Sequence, residues 1–267
     1  MSFLRQYLSA LQLFTCLPVT GPLAKWIGFG PEAVRASACH WPGVGWLVGL
    51  VACTVFALLG LALPNGPYVP LAAAAACTVA TVLLTGAFHE DALIRFTDSL
   101  GRGAATTAAL ELTRPSFASH GAIALVLALL FKISLLAVLA GQSPAAVLAA
   151  LLAGHVVSRF WPLVLMRGLS YTGDAATADC QRFTEPVDAR SLLVGAGWCI
   201  VPLGVALLVQ PPGFAAMGLL FSGLALFGMR KLLARRLGGF NADSVGATQQ
   251  VCEIAFYLGA AVGLGAT

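Results

Sequence analysis

YVPLAAAAACTVATVLLTGAFHEDALIRFTDSLGRG, from Tyr68 to Gly103, holds the two facts that decide the fold of this chain. Its first part is an apolar run long enough to cross a bilayer, which takes roughly 20 residues of helix. Its second part, GAFHEDALIRFTDSLGRG from Gly86, sets His89, Glu90, Asp91, Arg95 and Asp98 directly behind that run. Only 10% of the residues are charged, so charge at this place is not incidental. On a helix Asp91, Arg95 and Asp98 are spaced four and three apart and fall on one face. Two carboxylates there suit a divalent cation with phosphate, while the arginine between them can instead neutralise them without a metal.

Working outward, hydrophobic residues make up 59% of the chain and the mean hydropathy is strongly positive, well outside the composition of soluble domains. An all-α, polytopic membrane helix bundle follows, a single membrane domain over residues 1–267 with about seven spans. The net charge of +4 is small and no basic run is long enough for a nucleic-acid site. Seven cysteines include no CxxC pair, and Cys53, Cys77, Cys199 and Cys252 lie in apolar runs, which excludes a disulfide framework or a zinc site.

Met1 to Val19 is apolar but too short to span comfortably, and no small-residue cleavage site follows it; an interfacial or re-entrant helix is expected. Trp41 and Trp46 then suit the headgroup level. The expected spans are Gly43 to Leu63, Tyr68 to Phe88, Ser119 to Ala140, Pro144 to Met166, Ser191 to Val209, Phe214 to Met229, and Val245 to the end of the chain. By parity the turns PNGP, GQS and QPPG share one side, and none carries a charge. The N-terminal segment and three long loops share the other side, with every charge except Lys132, Arg159 and Glu253. Lys and Arg mark the cytoplasmic face, so the long loops are expected there. So bare an opposite face argues against a transporter, which needs polar groups reachable from both sides, and favours an enzyme working at one surface.

Three polar elements converge on the charged side. Asp91 and Asp98 are the leading metal candidates, against the bland reading of an intrahelical Asp91–Arg95 pair. Ser158 and Arg159 lie inside the fourth span, and Asp243, Gln250 and Glu253 repeat at seven and three along the last helix. An unpaired charge in lipid costs roughly 2.5 to 3.5 kcal/mol on insertion scales, so Arg159 and Glu253 should face the bundle interior or a wet cavity. A plain Arg159–Glu253 tether is the structural alternative. Lys132, mid-span, either snorkels or pairs with a neighbouring helix. His155 suits a buried hydrogen bond better than a metal, His89 suits general acid/base work or phosphate contact, and His40 and His120 read as interfacial. Gly101-Arg102-Gly103 permits close backbone approach to an anion.

These residues resemble the adenosylcobinamide-GDP ribazoletransferases, also called cobalamin synthases. TGAFHEDALIRFTDSLGRG and LTRPSFASHG stand where that family has HxDGLADxxDGLGGG-type and MKDSRIGxYG-type elements. LQLFTCLPV, HWPGVGWLVG, GHVVSRFWPLVLMRGLSY and GGFNADSVGATQQVCEIAF are similar to further family segments in the same order, so the likeness covers essentially the whole chain. Against the pattern, Ala92 and Ser99 replace glycines, Arg95 replaces an aspartate, and Thr113, Arg114 and Ser116 replace Lys, Asp and Arg. The resemblance implies transfer of the GDP-activated corrinoid phosphate to alpha-ribazole or its 5′-phosphate, with release of GMP and with Mg2+, in a bacterial cytoplasmic (inner) membrane. It implies Asp91, Asp98, Asp243 and Glu253 as metal ligands, and His89, Glu90 and Arg159 as catalytic groups. Gly101, Gly103 and Gln250 become substrate-binding residues. Membrane lipid is the expected surroundings and a homo-oligomer is left open. The competing readings are an impaired relative in which Arg95 clamps Asp91 and Asp98 and the protein serves as scaffold or corrinoid-binding partner, a CDP-alcohol phosphotransferase, whose DxxDGxxAR pattern is incomplete here, and a small-solute transporter.

Overall fold

The computed structural model describes residues 2–28, 30–101, 120–173 and 187–265, and among these the regular structure is helical throughout. Three short helices, α1 (Phe3–Phe14), α2 (Gly21–Ile27) and α3 (Pro31–Ser37), lead through a 3-10 turn, Ala38–His40, into α4 (Trp41–Ala62). The remainder is α5 (Val69–Thr85), α6 (Phe88–Gly101), α7 (His120–Gln142), α8 (Pro144–Gly168), α9 (Ala189–Val209), α10 (Pro212–Arg236) and α11 (Ala242–Gly265). Five helical runs are long and apolar enough to cross a membrane: Glu32–Ala62, which joins α3 to α4, and α7, α8, α9 and α10. A sixth exists if α5 and α6 count as one, although the pair is bent by 88°. The chain is therefore an all-α, multi-pass membrane bundle. Of the seven spans expected, α11 is the one left over: at 24 residues it has the length, but Asp243, Gln249, Gln250 and Glu253 keep it out of the apolar set. At 12 residues α1 is too short to cross.

Helix ends follow from local chemistry. The Ser143 hydroxyl accepts from Ala146 N–H at 3.0 Å and opens α8 straight after α7, which makes the GQS turn tight. Asp188 opens α9 in the same way, accepting from Ser191 N–H at 2.8 Å, and hydrogen bonding from the Ser191 side chain first, then from its N–H, holds the carboxyl below the usual carboxylate range. At the head of α11, Asn241 and Ser244 cap each other's backbone N–H, at 2.9 and 3.0 Å, a reciprocal box that fixes the first turn containing Asp243.

The corner between α5 and α6 is the decisive local feature. Gly86 is left-handed at φ +62°; its N–H donates to Leu83 O, and Ala87 N–H donates to Val82 O, the paired bonds of a Schellman ending. Ala87 is also left-handed, at φ 56°. The chain thus leaves the bilayer direction at Thr85, short of the expected Phe88, and α6 starts on a new axis. Cys16, just past α1, donates its N–H to Leu84 O at 2.8 Å, so the N-terminal segment is fastened to this corner.

Packing divides into two apolar clusters. One gathers residues beside all three uncharged turns, among them Phe56 and Ala73, Leu139 and Ala146, Ala206 and Phe214. The other gathers Phe14, Trp41, Leu93, Met166, Leu233 and Val245, at the charged end. Buried residues near all three bare turns thus pack into the same cluster. In α8, the central helix, 72% of the most apolar stretch is buried, against 22 to 33% in the other spanning helices. Its contact with α4 is backbone to backbone: a Cβ on Gly45 would lie 2.4 Å from His155 O, the small-residue packing that membrane helices use. Where the two clusters meet on α8 and α11, the buried side chains turn polar: Ser158, Arg159, Gln249, Gln250 and Glu253.

Candidate active site

At the charged end, α6 lies against the start of α11. The approach is close because both sides are small: a Cβ on Gly246 would sit 2.5 Å from Ala92 Cβ. Beside this contact is a cavity of about 170 Å³, walled by Leu13 and Phe14 of α1, Val34 of α3, Trp41 of α4, and Phe88 and Ala92 of α6. Three charged residues line it: Asp91 and Arg95 from α6, and Asp243 from the first turn of α11. A narrower cleft shares the Phe14, Trp41, Phe88 and Val245 walls and reaches His89, Arg159, Gly246 and Gln249; its free volume, about 10 Å³, admits a single oxygen atom or water. Two acids and one base thus line the larger cavity, and Arg159 and His89 line the cleft beside it.

His89 is held by rings. It stacks on Phe14, with centroids 5.4 Å apart and planes 17° apart, and meets Phe88 edge-on at 5.3 Å. The residue is buried, yet neither ring nitrogen has a hydrogen-bond partner among the described residues. Arg159 is buried as well; its Nη1 donates to His155 O at 2.8 Å, while its Nε has no partner. Glu90 points away from the cavity into the α6–α11 interface, where Gln250 Nε2 donates to its Oε1 at 2.6 Å.

Deeper in the bundle Glu253 is surrounded. Lys132 Nζ of α7 stands 2.6 Å from Oε1, Tyr257 OH donates to the same oxygen at 3.1 Å, and Gln249 Nε2 and His155 Nδ1 reach Oε2 at 2.6 and 3.2 Å. All of these groups are almost fully buried. The mid-span lysine does not snorkel; it pairs. The Arg159–Glu253 tether considered from sequence is replaced by a Lys132–Glu253 pair.

The four carboxylates assigned to metal are accordingly not one group. Asp91 and Asp243 line the same cavity. Asp98, seven residues along α6 and so about 10 Å from Asp91 on the helix axis, accepts from Gly121 N–H at 2.8 Å, tying α6 to the start of α7. Glu253 is ten residues, or about 15 Å, deeper in α11 than Asp243, and its oxygens are taken. No three His, Cys, Asp or Glu side chains among the described residues form a metal-holding group. The donor set nevertheless fits Mg2+, which is held through one or two carboxylates together with substrate phosphates rather than by an all-protein cage. Arg95 forms an ion pair with Asp91. Gly101 closes α6, whereas Gly103 and the Thr113, Arg114 and Ser116 positions lie outside the described residues.

The order of these elements can be set against known proteins. A family model described as cobalamin-5-phosphate synthase matches residues 6–261, nearly the whole chain. The chain belongs to that family. Its relatives include proteins named adenosylcobinamide-GDP ribazoletransferase: one from Polaromonas naphthalenivorans, 47% identical over 99% of this chain and 100% of its own, and one from another Polaromonas strain, 48% identical over 98% of each. A third, from Leptothrix cholodnii, is 38% identical over 96% of this chain and 94% of its own. No solved structure matches. The resemblance read from the segment order is therefore correct, and this cobalamin synthase family member is a transferase by kinship.

Two parts of the site were missed from sequence. The aromatic walls Phe14 and Trp41 belong to segments read as interfacial and as similar to family segments, with no role in the site assigned to either residue. The Lys132–Glu253 pair did leave a signal: among three charges inside the expected spans there was one acid, and each base needed a partner.

Proposed function

We propose that this cobalamin synthase family member transfers the corrinoid-linked phosphate of adenosylcobinamide-GDP to alpha-ribazole or its 5′-phosphate, releasing GMP, at the cytoplasmic face of a bacterial inner membrane. The names of its relatives support the substrates, and the Lys and Arg concentrated at the cavity end support the side. The observation that carries the reading is that Asp91 and Asp243, from separate helices, line one cavity, while His89 and Arg159 line a narrower cleft that shares its Phe14, Trp41, Phe88 and Val245 walls.

A ribazole hydroxyl oxygen attacks the corrinoid-linked phosphorus, a new P–O bond forms, the P–O bond to GMP breaks, and the hydroxyl proton leaves to a base. His89 is placed to take that proton at a ring nitrogen, since both are buried and unpartnered beside the cavity. Arg159 offsets the negative charge that gathers on the phosphoryl oxygens. Asp91 and Asp243 would hold Mg2+, which when bound neutralises and orients the diphosphate. Binding then requires Arg95 to release Asp91. Drug-sized ligands fill pockets of about 300 to 1,000 Å³; the cavity here, about 170 Å³, takes the diphosphate linkage and leaves the corrinoid outside, against lipid.

The test is GMP release from adenosylcobinamide-GDP by purified protein, with Mg2+ and with a chelator. Asp91→Asn and Asp243→Asn are each expected to lower turnover on the order of 10²-fold or more, and His89→Ala by about 10²-fold or more. Unaltered turnover in an Asp91→Asn/Asp243→Asn protein would remove the reading.

A further inference from the structure

Arg159 is a buried cation that makes little use of its donors. Two carboxylates are near enough to act on it electrostatically, Glu253 and Glu90, and neither forms an ion pair with it. Each acid is engaged from elsewhere. Glu253 is taken by Lys132 at 2.6 Å, with His155 Nδ1 interposed, 3.2 Å from Glu253 Oε2 and 3.4 Å from Arg159 Nη1. Glu90 is held through Oε1 by Gln250, while its Oε2 has no partner among the described residues. Meanwhile four of the buried polar atoms without a hydrogen-bond partner among the described residues, Arg159 Nε, Gln249 Oε1 and both nitrogens of His89, belong to residues that line the inner cleft, and Glu90 Oε2 and His155 Nε2 are two others outside its lining. These side chains are all more than nine-tenths buried. An unsatisfied guanidinium N–H and an imidazole that can donate, on residues lining a space the size of one oxygen atom, mark a place for a ligand oxygen.

We propose that the inner cleft is an oxyanion subsite for a phosphate oxygen, and that Lys132 is the positioning residue that keeps it open. By holding Glu253, Lys132 prevents that carboxylate from capturing the Arg159 guanidinium, which stays available to an anion seated in the outer cavity. This deepens the phosphoryl-transfer reading by naming where the phosphate oxygen is gripped. Lys132 itself touches no substrate. Its action is through charge: removing it leaves a buried carboxylate without its cation, and Arg159 is a buried cation whose charge already acts on that carboxylate.

Equilibrium binding of inorganic pyrophosphate, measured by calorimetry in chelator without divalent cations, tests this apart from turnover. Lys132→Met is expected to weaken binding about tenfold or more, and Lys132→Arg to keep it. Removing the competing acid must rescue: Glu253→Gln alone, and Lys132→Met/Glu253→Gln, are expected to bind within about threefold of the unaltered protein, and adding Arg159→Gln to the double variant abolishes binding. If Lys132→Met does not fold, the double variant decides, because exchanging both members of a buried pair for neutral residues is tolerated. A double variant that folds but binds no pyrophosphate overturns the proposal, as does a folded Lys132→Met protein that binds normally. Pyrophosphate bound as expected by a protein that releases no GMP would instead overturn the reaction and leave the subsite standing.

Discussion

Arg95 decides whether Asp91 is a metal ligand or half of an ion pair. Its side chain is 63% exposed and that of Asp91 50%, so the pair is a surface contact of the kind that contributes about 0.2 to 1 kcal/mol. On the proposed reading, a divalent cation held by Asp91 together with a diphosphate would displace so weak a partner. Arg95→Ala is therefore expected to change stability by less than about 1 kcal/mol in thermal unfolding, and to lower the Mg2+ concentration needed for half-maximal GMP release. A protein that fails to fold without Arg95 would restore the clamp and with it the scaffold reading. Asp98 behaves in the opposite way. Its bond to Gly121 N–H resembles a cap, so Asp98→Ala should cost about 1 kcal/mol while the Mg2+ requirement stays in place. Asp91→Asn should move that requirement; the two aspartates of one motif are thereby separated by measurement.

The α5–α6 corner carries the site, because it brings His89 and Asp91 round to face α11. Gly86 permits it by a left-handed backbone at φ +62°, and a Cβ there would also lie 2.6 Å from Cys16 Sγ. Gly86→Ala is expected to destabilise by more than about 1 kcal/mol and to lower turnover per folded molecule, since realigning α6 moves both residues. A Gly86→Ala protein with unaltered melting and turnover would show that the corner is not what positions them. This is also where sequence reading reached its limit. Apolar length and turn residues located every major helix within a few residues, and spacing found the right polar faces. Spacing reports direction around a helix axis and not depth along it. Asp243 and Glu253 share a face and still lie about 15 Å apart in rise, one in the cavity and one in the bundle interior. Lys132 meets Glu253 because α7 packs beside α11, a tertiary fact with no local periodicity to betray it.

At the scale of the whole molecule, charge sorts the bundle end to end. Buried residues near each of PNGP, GQS and QPPG enter one apolar cluster, while Trp41, Met166, Leu233 and Val245, beside the charged segments and the cavity, enter the other. A bilayer placed across this bundle is expected to have one nearly uncharged face and one face rich in Lys and Arg, and on the proposed reading the positive face is the cytoplasmic one. The orientation can be read with cysteines. Of the described cysteines only Cys16 is exposed, and Cys180 lies outside the described residues, so a protein with both changed to serine has a quiet background. In that background Asn65→Cys, in PNGP, should react with a membrane-impermeant maleimide in intact spheroplasts, and Arg236→Cys, at the end of α10, should react only in inverted vesicles. The same sidedness dictates where substrate must come from: nucleotide-activated corrinoid added to sealed inverted vesicles should be consumed without detergent, and added to right-side-out vesicles should be spared until the bilayer is broken. Labelling of both cysteines from one side would undo the parity of the bundle, and turnover from the uncharged side would leave the cavity at the wrong end of the molecule.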